Sequence, residues 1–378
     1  MDFELSEEQE QLRDSVRSVL ERECPPAVVR AAYEGRLDGE HDRLWRVICE
    51  LDWPAIAVPE SMGGLGMGFA ELALIAEEMG RAVVPAPFMS TVAQFVPMVL
   101  ETSLPEQQKI LLGTVLDQGA IGTVAIAEKG SGWDMSRMST EARRTRDGWV
   151  LNGTKSFVFD GADATTILVV ARASDDEGIG AFAVPSDAVT STAVKLLDPS
   201  QPLADVELRN VLVPDDAVLV EPGDQKGAAG IRRALEQATA AVAMSMTGTC
   251  RVIFDSTLQY AKDREQFGKP IGSFQAIKHR LVNMLIALER ASSLAYFAAL
   301  TIAEDDPRRS IAVSMAKAAA GDCQRLIVQD GLQFHGGIGY MWEQDLHFYL
   351  KRAKSGDLLF GSAAAHKANV ARALGLAA

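Results

Sequence analysis

Apolar residues recur at helical spacing from the start of the chain. Leu12, Val16, Val19 and Leu20 fall on one stripe, and Ser6 with Gln9 three positions on makes a capping box, so a helix is predicted directly after Ser6. In "FAELALIAEEMGR", after a glycine loop, Leu72, Ile75, Ala76 and Met79 share one side of a second predicted helix. Up to about residue 117 such amphipathic segments alternate with breaks at Pro25-Pro26, Pro54, "PESMGGLGMG", Pro85, Pro87, Pro97 and Pro105. From 118 to 222 the period shortens. "IGTVAIA", "ILVVARA" and "GAFAV" are short β-rich runs between turn residues. "GWVLNGTKSFVF" reads as two strands joined by a two-residue hairpin turn at Asn152-Gly153.

Beyond Gly223 proline nearly vanishes: 13 of the 15 prolines precede that point, leaving Pro270 and Pro307. The pattern predicts long helices over 227–263, 274–304 and 310–334. They are alanine-rich and apolar on more than one face, which suits a bundle that also packs against other subunits. No internal repeat or low-complexity tract interrupts the chain. The predicted fold is α+β, mainly α: a helical domain over 1–117, a β domain over 118–222 and a helical bundle over 223–378.

Composition narrows the class. The 378 residues suffice for two or three cored domains, and 48% hydrophobic with 23% charged is ordinary for a globular protein. A formal charge of −14 repels polyanions, which argues against nonspecific nucleic-acid or anionic-membrane binding. It leaves room for a phosphate-bearing cofactor held by a few local arginines. Cys24, Cys49, Cys250 and Cys323 lack metal-ligand spacing and read as buried, reduced thiols of a cytoplasmic protein. The acidic N-terminus has no signal- or transit-peptide character. The uncharged stretch 237–250 falls short of the roughly 20 residues a membrane span needs.

Two motifs carry chemistry. In "DREQFGKPIGSFQAIKHR" Arg264 closes the long helix, Phe267-Gly268 and Pro270 break it, and Gln275 opens the next. A fixed guanidinium beside the free amides of a helix start suits a pyrophosphate, although a plain interhelical turn would read the same way. In "QFHGGIGY" Gln333 offers an amide, and Gly336 and Gly337 allow close backbone approach. The five histidines are dispersed, so His335 is not expected to ligate a metal. No GxSxG elbow, P-loop or strand-borne GxGxxG is present.

Together with "FELSEEQEQLRDSVR", "VPESMGGLGMG", "GWVLNGTKSFV" and "QFHGGIGYMWEQDLHFYLKRAK", these motifs make the chain resemble an acyl-CoA dehydrogenase along essentially its whole length. The resemblance implies an α-domain, a middle β-barrel-like domain and a C-terminal four-helix bundle. It also implies FAD as cofactor, an acyl-CoA substrate and a dimer of dimers. In such enzymes a glutamate removes the α-proton of the thioester while the β-hydrogen leaves as hydride to the flavin, with the enolate stabilised and the base within hydrogen-bond reach. By the same likeness Arg264, Phe267, Gln275, Gln333, Gly336 and Gly337 correspond to contacts with the pyrophosphate and adenosine half of a neighbouring subunit's FAD.

Several departures follow. Where the family carries its glutamate in a Tyr-Glu-Gly-Thr-like turn, this chain has Leu359-Phe360-Gly361-Ser362, so Phe360 stands in the base position. A minority of the family places the base 26 residues before the motif arginine, and that count lands on Ala238. Glu236, two residues earlier, is rotated by about 200° and reads as a solvated or interhelix charge. Asp357 is a candidate to swing in from a loop, and Glu128 reads as structural. The family's Thr-Glu-Pro and Trp-Ile-Thr/Ser-Asn become Ala127-Glu128-Lys129 and Phe157-Val158-Phe159-Asp160. Two hydroxyls that serve the flavin ring are thereby lost, at about 1–3 kcal/mol for each buried group left unpaired. Phe159 is expected to occupy volume beside the ring.

The losses therefore fall on the base and ring seat and spare the reach toward a neighbour's cofactor. Some relatives that dehydrogenate steroid side-chain CoA thioesters are built from two different chains, and "GYMWEQDLHFYLKRAK…LLFG" looks like that subgroup. The expectation is a subunit with no catalytic residue of its own, paired with a homologous dehydrogenase in an α2β2 heterotetramer. A homomeric flavoenzyme with a relocated base, and a non-enzymatic acyl-CoA-binding scaffold, are the other two readings.

Overall fold

The structure, a computed structural model, describes residues 4–36, 39–174 and 178–376. Ser6 caps α1 (Glu7–Glu23) by accepting from the Gln9 amide while the Gln9 side chain accepts from the Ser6 N–H, and Val16 and Leu20 of the stripe are buried. The proline pair starts α2 (Pro26–Tyr33), where a missing N–H costs nothing. Next come α3 (Glu40–Glu50) and α4 (Phe69–Arg81). In α4 the four expected core residues are joined by Ala73 and Leu74, so the helix is buried nearly all round. A short α5 (Phe88–Ser90) runs through a π-turn, Thr91–Phe95, into α6 (Val96–Thr102), and α7 (Pro105–Gln118) follows.

Strands β1 (Gly122–Ala125), β2 (Glu141–Thr145), β3 (Gly148–Phe159), β4 (Thr166–Ala173), β5 (Ile179–Pro185), β6 (Thr190–Ala193), β7 (Leu203–Val213) and β8 (Val218–Val220) form one mixed sheet. Its order is β6-β7-β3-β2-β4-β5-β8, with β1 parallel to β4. The expected hairpin at Asn152-Gly153 is not there. β3 runs unbroken through both residues against β7, with a register shift between Leu151 and Gly153. Glycine is required at 153 because a Cβ would come within 2.8 Å of the Thr140 Cα, so it marks a bulge and a close approach rather than a turn. The hairpin lies earlier, where Arg146 and Asp147 connect β2 to β3 and Thr145 pairs with Gly148.

The three long helices lie where the proline distribution places them: α8 (Gln225–Asp263), α9 (Gln275–Ala303) and α10 (Arg309–His335). Between α8 and α9 a two-residue ladder pairs β9 (Glu265–Gln266) with β10 (Lys269–Pro270). α11 (Leu346–Leu358) and α12 (Ala363–Ala373) complete the chain.

The chain divides into two compact units. One comprises Met1–Asp38, Phe69–Pro85 and Thr239–Ala378; the other comprises Gly39–Gly68 and Ala86–Ala238. The core of the first joins Ile253 and Phe254 of α8, Met284 and Leu288 of α9 and Ile327 of α10. In it α4 and α8 meet at small residues, and the Thr249 hydroxyl donates to the Gly80 carbonyl oxygen at 2.9 Å. The second unit has two clusters, one within the sheet around Val169 and Phe182 and one where Phe95, Val96 and Val99 pack with Val124 and Leu168. Among the described residues one helix, α9, is long and apolar enough to cross a membrane. It is interrupted by Arg280, Glu289 and Arg290, and Met284, Leu288, Ala291 and Ala295 are fully buried in the bundle core or beside it. The four cysteines are free thiols, three of them buried.

Candidate functional site

At the carboxyl end of α8 the Arg264 N–H still donates to the Tyr260 carbonyl oxygen, and the Ile271 N–H closes back onto the Arg264 carbonyl oxygen at 2.8 Å. Between them Phe267 (φ 56°) and Gly268 (φ 76°) form the two-residue turn of the β9–β10 hairpin, both with the positive φ of a type I′ turn. This geometry holds the Phe267 ring 90% exposed, edge-on to Phe274 at 6.1 Å. Gln275 is the first residue of α9. Gln333 is exposed in the last turn of α10, and Gly336 (φ 57°) ends that helix.

Two side-chain contacts gather these segments at one end of the bundle. Tyr260 of α8 stacks on His335 of α10 with ring centroids 4.5 Å apart and planes 27° apart. Arg280, in the second turn of α9, pairs with Asp330 of α10 and lies 5.1 Å over the Phe334 ring. All six residues expected from sequence therefore sit at this end: Arg264, Phe267, Gln275, Gln333, Gly336 and Gly337. The arrangement fits an anionic dinucleotide tail. The Arg264 guanidinium is exposed and makes no ion pair among the described residues. A Cβ on Gly336 or Gly337 would meet nothing within 4 Å, so the backbone borders open space. The described residues hold no group of three or more His, Cys, Asp and Glu able to hold a metal ion.

The turn that would carry the base is equally well built but holds no acid. Phe360 is 7% exposed, and its φ of 54° is unusual for a bulky side chain. The fully buried Lys317 amine donates to the carbonyl oxygens of Asp357 (3.1 Å) and Gly361 (2.9 Å). Burial lowers that amine to about 8, against the pull of Asp357. His366 Nε2 lies 3.0 Å from the Phe360 carbonyl oxygen and so donates to it, while Nδ1 is 3.4 Å from Ser314 Oγ. Asp357 does not come from a loop. It is in the last turn of α11, 4% exposed, and its Oδ1 accepts from the Ala363 N–H at the start of α12. A carboxylate committed to a helix start is not free to swing. Ala238 is buried within α8 and offers no polar atom.

In the other unit Glu128 accepts from the Ser139 N–H and hydroxyl (2.6 Å each), the Thr140 N–H (2.9 Å) and Lys155 Nζ (2.7 Å). Burial pushes its carboxyl up, but the Lys155 ammonium and the other donors outweigh that and hold it at about 2. It anchors the loop before β2 to β3. The Ser156 N–H donates to the Ala127 carbonyl oxygen at 2.8 Å, with Ala127 itself buried. A bulge between Lys155 and Val158 turns Phe157 outward, 44% exposed at φ 58°, and buries Phe159. Asp160 accepts from the Ser90 hydroxyl at 2.5 Å and lies 3.9 Å from His41 Nε2.

Sequence reasoning passed over Lys155, Lys317, His366 and the Tyr260–His335 stack. Lys155 alone left a signal, a cation at an inward position of an alternating strand. Lys317 and His366 act through distant carbonyls that no local spacing reveals.

Family models described as acyl-CoA dehydrogenase N-terminal, middle and C-terminal domain match residues 6–118, 123–211 and 225–375. The chain is 29% identical over 360 residues to the acyl-CoA dehydrogenase IpdE2 of Mycolicibacterium smegmatis, covering 94% of this chain and 96% of that protein. It superposes on a chain of the ChsE4-ChsE5 complex from Mycobacterium tuberculosis with a TM-score of 0.89 at 26% identity, covering 99% of each. A Tcur3481-Tcur3483 steroid ACAD variant gives a TM-score of 0.86 at 29% identity, covering 98% of each. The fold is that of an FAD-dependent dehydrogenase matched at 25% identity with a TM-score of 0.86, and FAD is the cofactor. With all three domain models matched in order and that architecture observed, the chain belongs to the acyl-CoA dehydrogenase family.

Proposed function

We propose that this chain is the subunit without a base in a heteromeric acyl-CoA dehydrogenase that desaturates the α,β-bond of a steroid side-chain CoA thioester. The observation that carries this reading is an asymmetry. Phe360 and Ala238 occupy both positions from which the family draws its base, while Arg264, Phe267, Gln275, Gln333 and Gly337 stand exposed, with Gly336 half-buried beside them, at one end of the bundle. Asp357, the nearest acid to the turn in sequence, is tied to α12, which weighs against a base relocated onto it.

In this reading residues 1–117, 118–222 and 223–378 act as helical, β and bundle domains. FAD, when bound, supplies the hydride acceptor. Arg264 neutralises the pyrophosphate of a cofactor lodged in the partner chain, Phe267 and Gln275 border its tail, and Gln333 with the Gly336-Gly337 backbone lines the adenosine half. The partner, a homologous dehydrogenase, contributes the proton acceptor and ring seat in an α2β2 heterotetramer. The complex named for ChsE4 and ChsE5 and the steroid ACAD named for two Tcur chains support both the two-chain assembly and the substrate class.

The test is the flavin content of two preparations. The chain co-produced with a homologous dehydrogenase subunit is expected to carry one FAD for every two chains, and the chain alone to be colourless. A flavin-loaded, active homotetramer of this chain alone overturns the assignment.

A further inference from the structure

Two buried polar atoms face each other between α3 and the β3–β4 connection without touching. Asp160, 4% exposed at φ 47°, is the hub of that connection. Its N–H donates to the Pro202 carbonyl oxygen (2.9 Å), and its own carbonyl oxygen accepts from the Asp163 and Ala164 N–H groups (2.9 Å each). Asp160 Oδ2 is taken by the Ser90 hydroxyl, but Oδ1 is buried with no hydrogen-bond partner. The atom opposite, 3.9 Å away, is Nε2 of His41 in the first turn of α3, also buried and also without a partner. That gap is too long for a hydrogen bond and too short for a bridging water, which needs roughly 4.5 Å or more between its two partners.

The other nitrogen of the same ring decides what closes the gap. Nδ1 of His41 lies 3.5 Å from Asp42 Oδ1, so each ring nitrogen faces a carboxylate. A neutral imidazole has one N–H and must turn a lone pair on one of the two acids; only the imidazolium gives each a donor. We propose that His41 and Asp160 form a proton-operated latch: the imidazolium closes onto Asp160 Oδ1 and clamps the β3–β4 connection to α3, and the neutral ring releases it. The latched residue directly follows Phe159, so the device acts on the segment that the resemblance sets beside a flavin ring.

The groups around His41 favour its charged form. Asp42 is on its own helix, and Asp160 and Asp163 are on the β3–β4 connection. Glu40 is engaged by Arg43 at 2.8 Å, and Ser90, which reaches Asp160 from α5, is uncharged. Burial, the largest influence, pulls the imidazole down; Asp160, then Asp42 and Asp163, outweigh it and raise the pKa above its ordinary value. Asp163 is itself pushed up by burial, against the pull of His41. With the folded value raised, the stability the latch contributes is whole below about pH 6.5 and is lost as pH rises through that folded value.

The test uses the full-length chain with ¹³C-labelled histidine, the His41 signal being identified by its loss in His41→Gln. In the wild type this signal is expected to titrate above the ordinary value near about 6.5, and in Asp160→Asn below the wild-type value. Hydrogen exchange followed by mass spectrometry reads the release. After correction for the intrinsic pH dependence, the segment holding the Asp163 and Ala164 N–H groups should be about tenfold better protected at about pH 5.5 than at about pH 8. His41→Gln should abolish that difference. A His41 signal that titrates at or below the ordinary value in the wild-type chain overturns the latch, and so does one that Asp160→Asn leaves in place. Equal protection of residues 163 and 164 at both pH values, or a difference that persists in His41→Gln, overturns it as well.

Discussion

His366 holds Phe360 by its backbone and not by its side chain: the imidazole Nε2 donates to the Phe360 carbonyl oxygen at 3.0 Å. The ring is buried, and burial first, then the Lys317 ammonium, push its pKa down to about 4. The folded value lies below the ordinary one near 6.5, so the folded state resists a proton that the unfolded chain accepts. The stability tied to this histidine is therefore whole above about pH 6.5, falls as pH drops toward 4 and levels off below. The full swing is about 3 kcal/mol. Urea midpoints measured from pH 7 to pH 4 should show this loss in the wild type and a much shallower one in His366→Gln.

Glu128 and Lys155 form an ion pair of 2.7 Å with both side chains buried. Breaking such a pair from one side strands the other charge, a cost of about 3–5 kcal/mol. Glu128→Gln should lower the urea midpoint accordingly, and Glu128→Gln with Lys155→Met should recover part of the loss. A single variant as stable as the wild type would mean that the loop finds another anchor. Since the folded carboxyl sits at about 2, below its ordinary value, the pair's contribution is present above about pH 4.5 and disappears as pH falls toward 2. That window lies below the one set by His366, so the two limbs are separable.

Gly80 and Gly248 are reciprocal contacts of α4 and α8. A Cβ on Gly80 would come within 1.9 Å of the Ser245 carbonyl oxygen, and one on Gly248 within 2.0 Å of the Glu77 carbonyl oxygen. Both obstacles are backbone and cannot rotate away. Alanine normally favours a helix over glycine by about 1 kcal/mol. Here Gly80→Ala and Gly248→Ala should each destabilise by about 1–3 kcal/mol, because the helices must separate. Thermal unfolding of the two variants decides between these signs.

The extent to which this molecule was legible depended on how local each cause was. Helices α8, α9 and α10 follow from the absence of proline and from the breaks at Phe267-Gly268 and Pro307, both short-range properties. The six residues of the proposed cofactor seat stand in turns and at helix ends, where turn and glycine chemistry is written in consecutive letters. Asn152-Gly153 misled because the same dipeptide serves a turn and a bulge. What selected the bulge was Thr140, packed against Gly153 from outside that strand pair. Asp357 misled for a related reason, since its purpose is fixed by the Ala363 N–H across the turn and not by its own neighbours. The buried polar groups Lys317 and His366 were invisible because their partners are carbonyls 6 to 44 residues away.

The same turn makes the proposed absence of a base testable by introducing one. Lys317, His366 and Asp357 all bind backbone atoms of the segment 357–363, contacts that a change of side chain 360 leaves available. Phe360→Glu should therefore keep the turn, including its unusual φ of 54°, and place a carboxylate where the family carries one. A positioned general base accelerates proton transfer by about 10²–10⁴-fold. The variant should accordingly wash the α-proton of an acyl-CoA thioester into D₂O, followed by ¹H NMR, at a rate well above that of the wild-type chain. Phe360→Gln, with the same shape and no proton acceptor, should stay at the wild-type level. A folded Phe360→Glu protein that binds the thioester yet exchanges no faster than Phe360→Gln would show that the turn does not face the substrate in this chain, and the assignment of residue 360 as the vacant base position would fail with it.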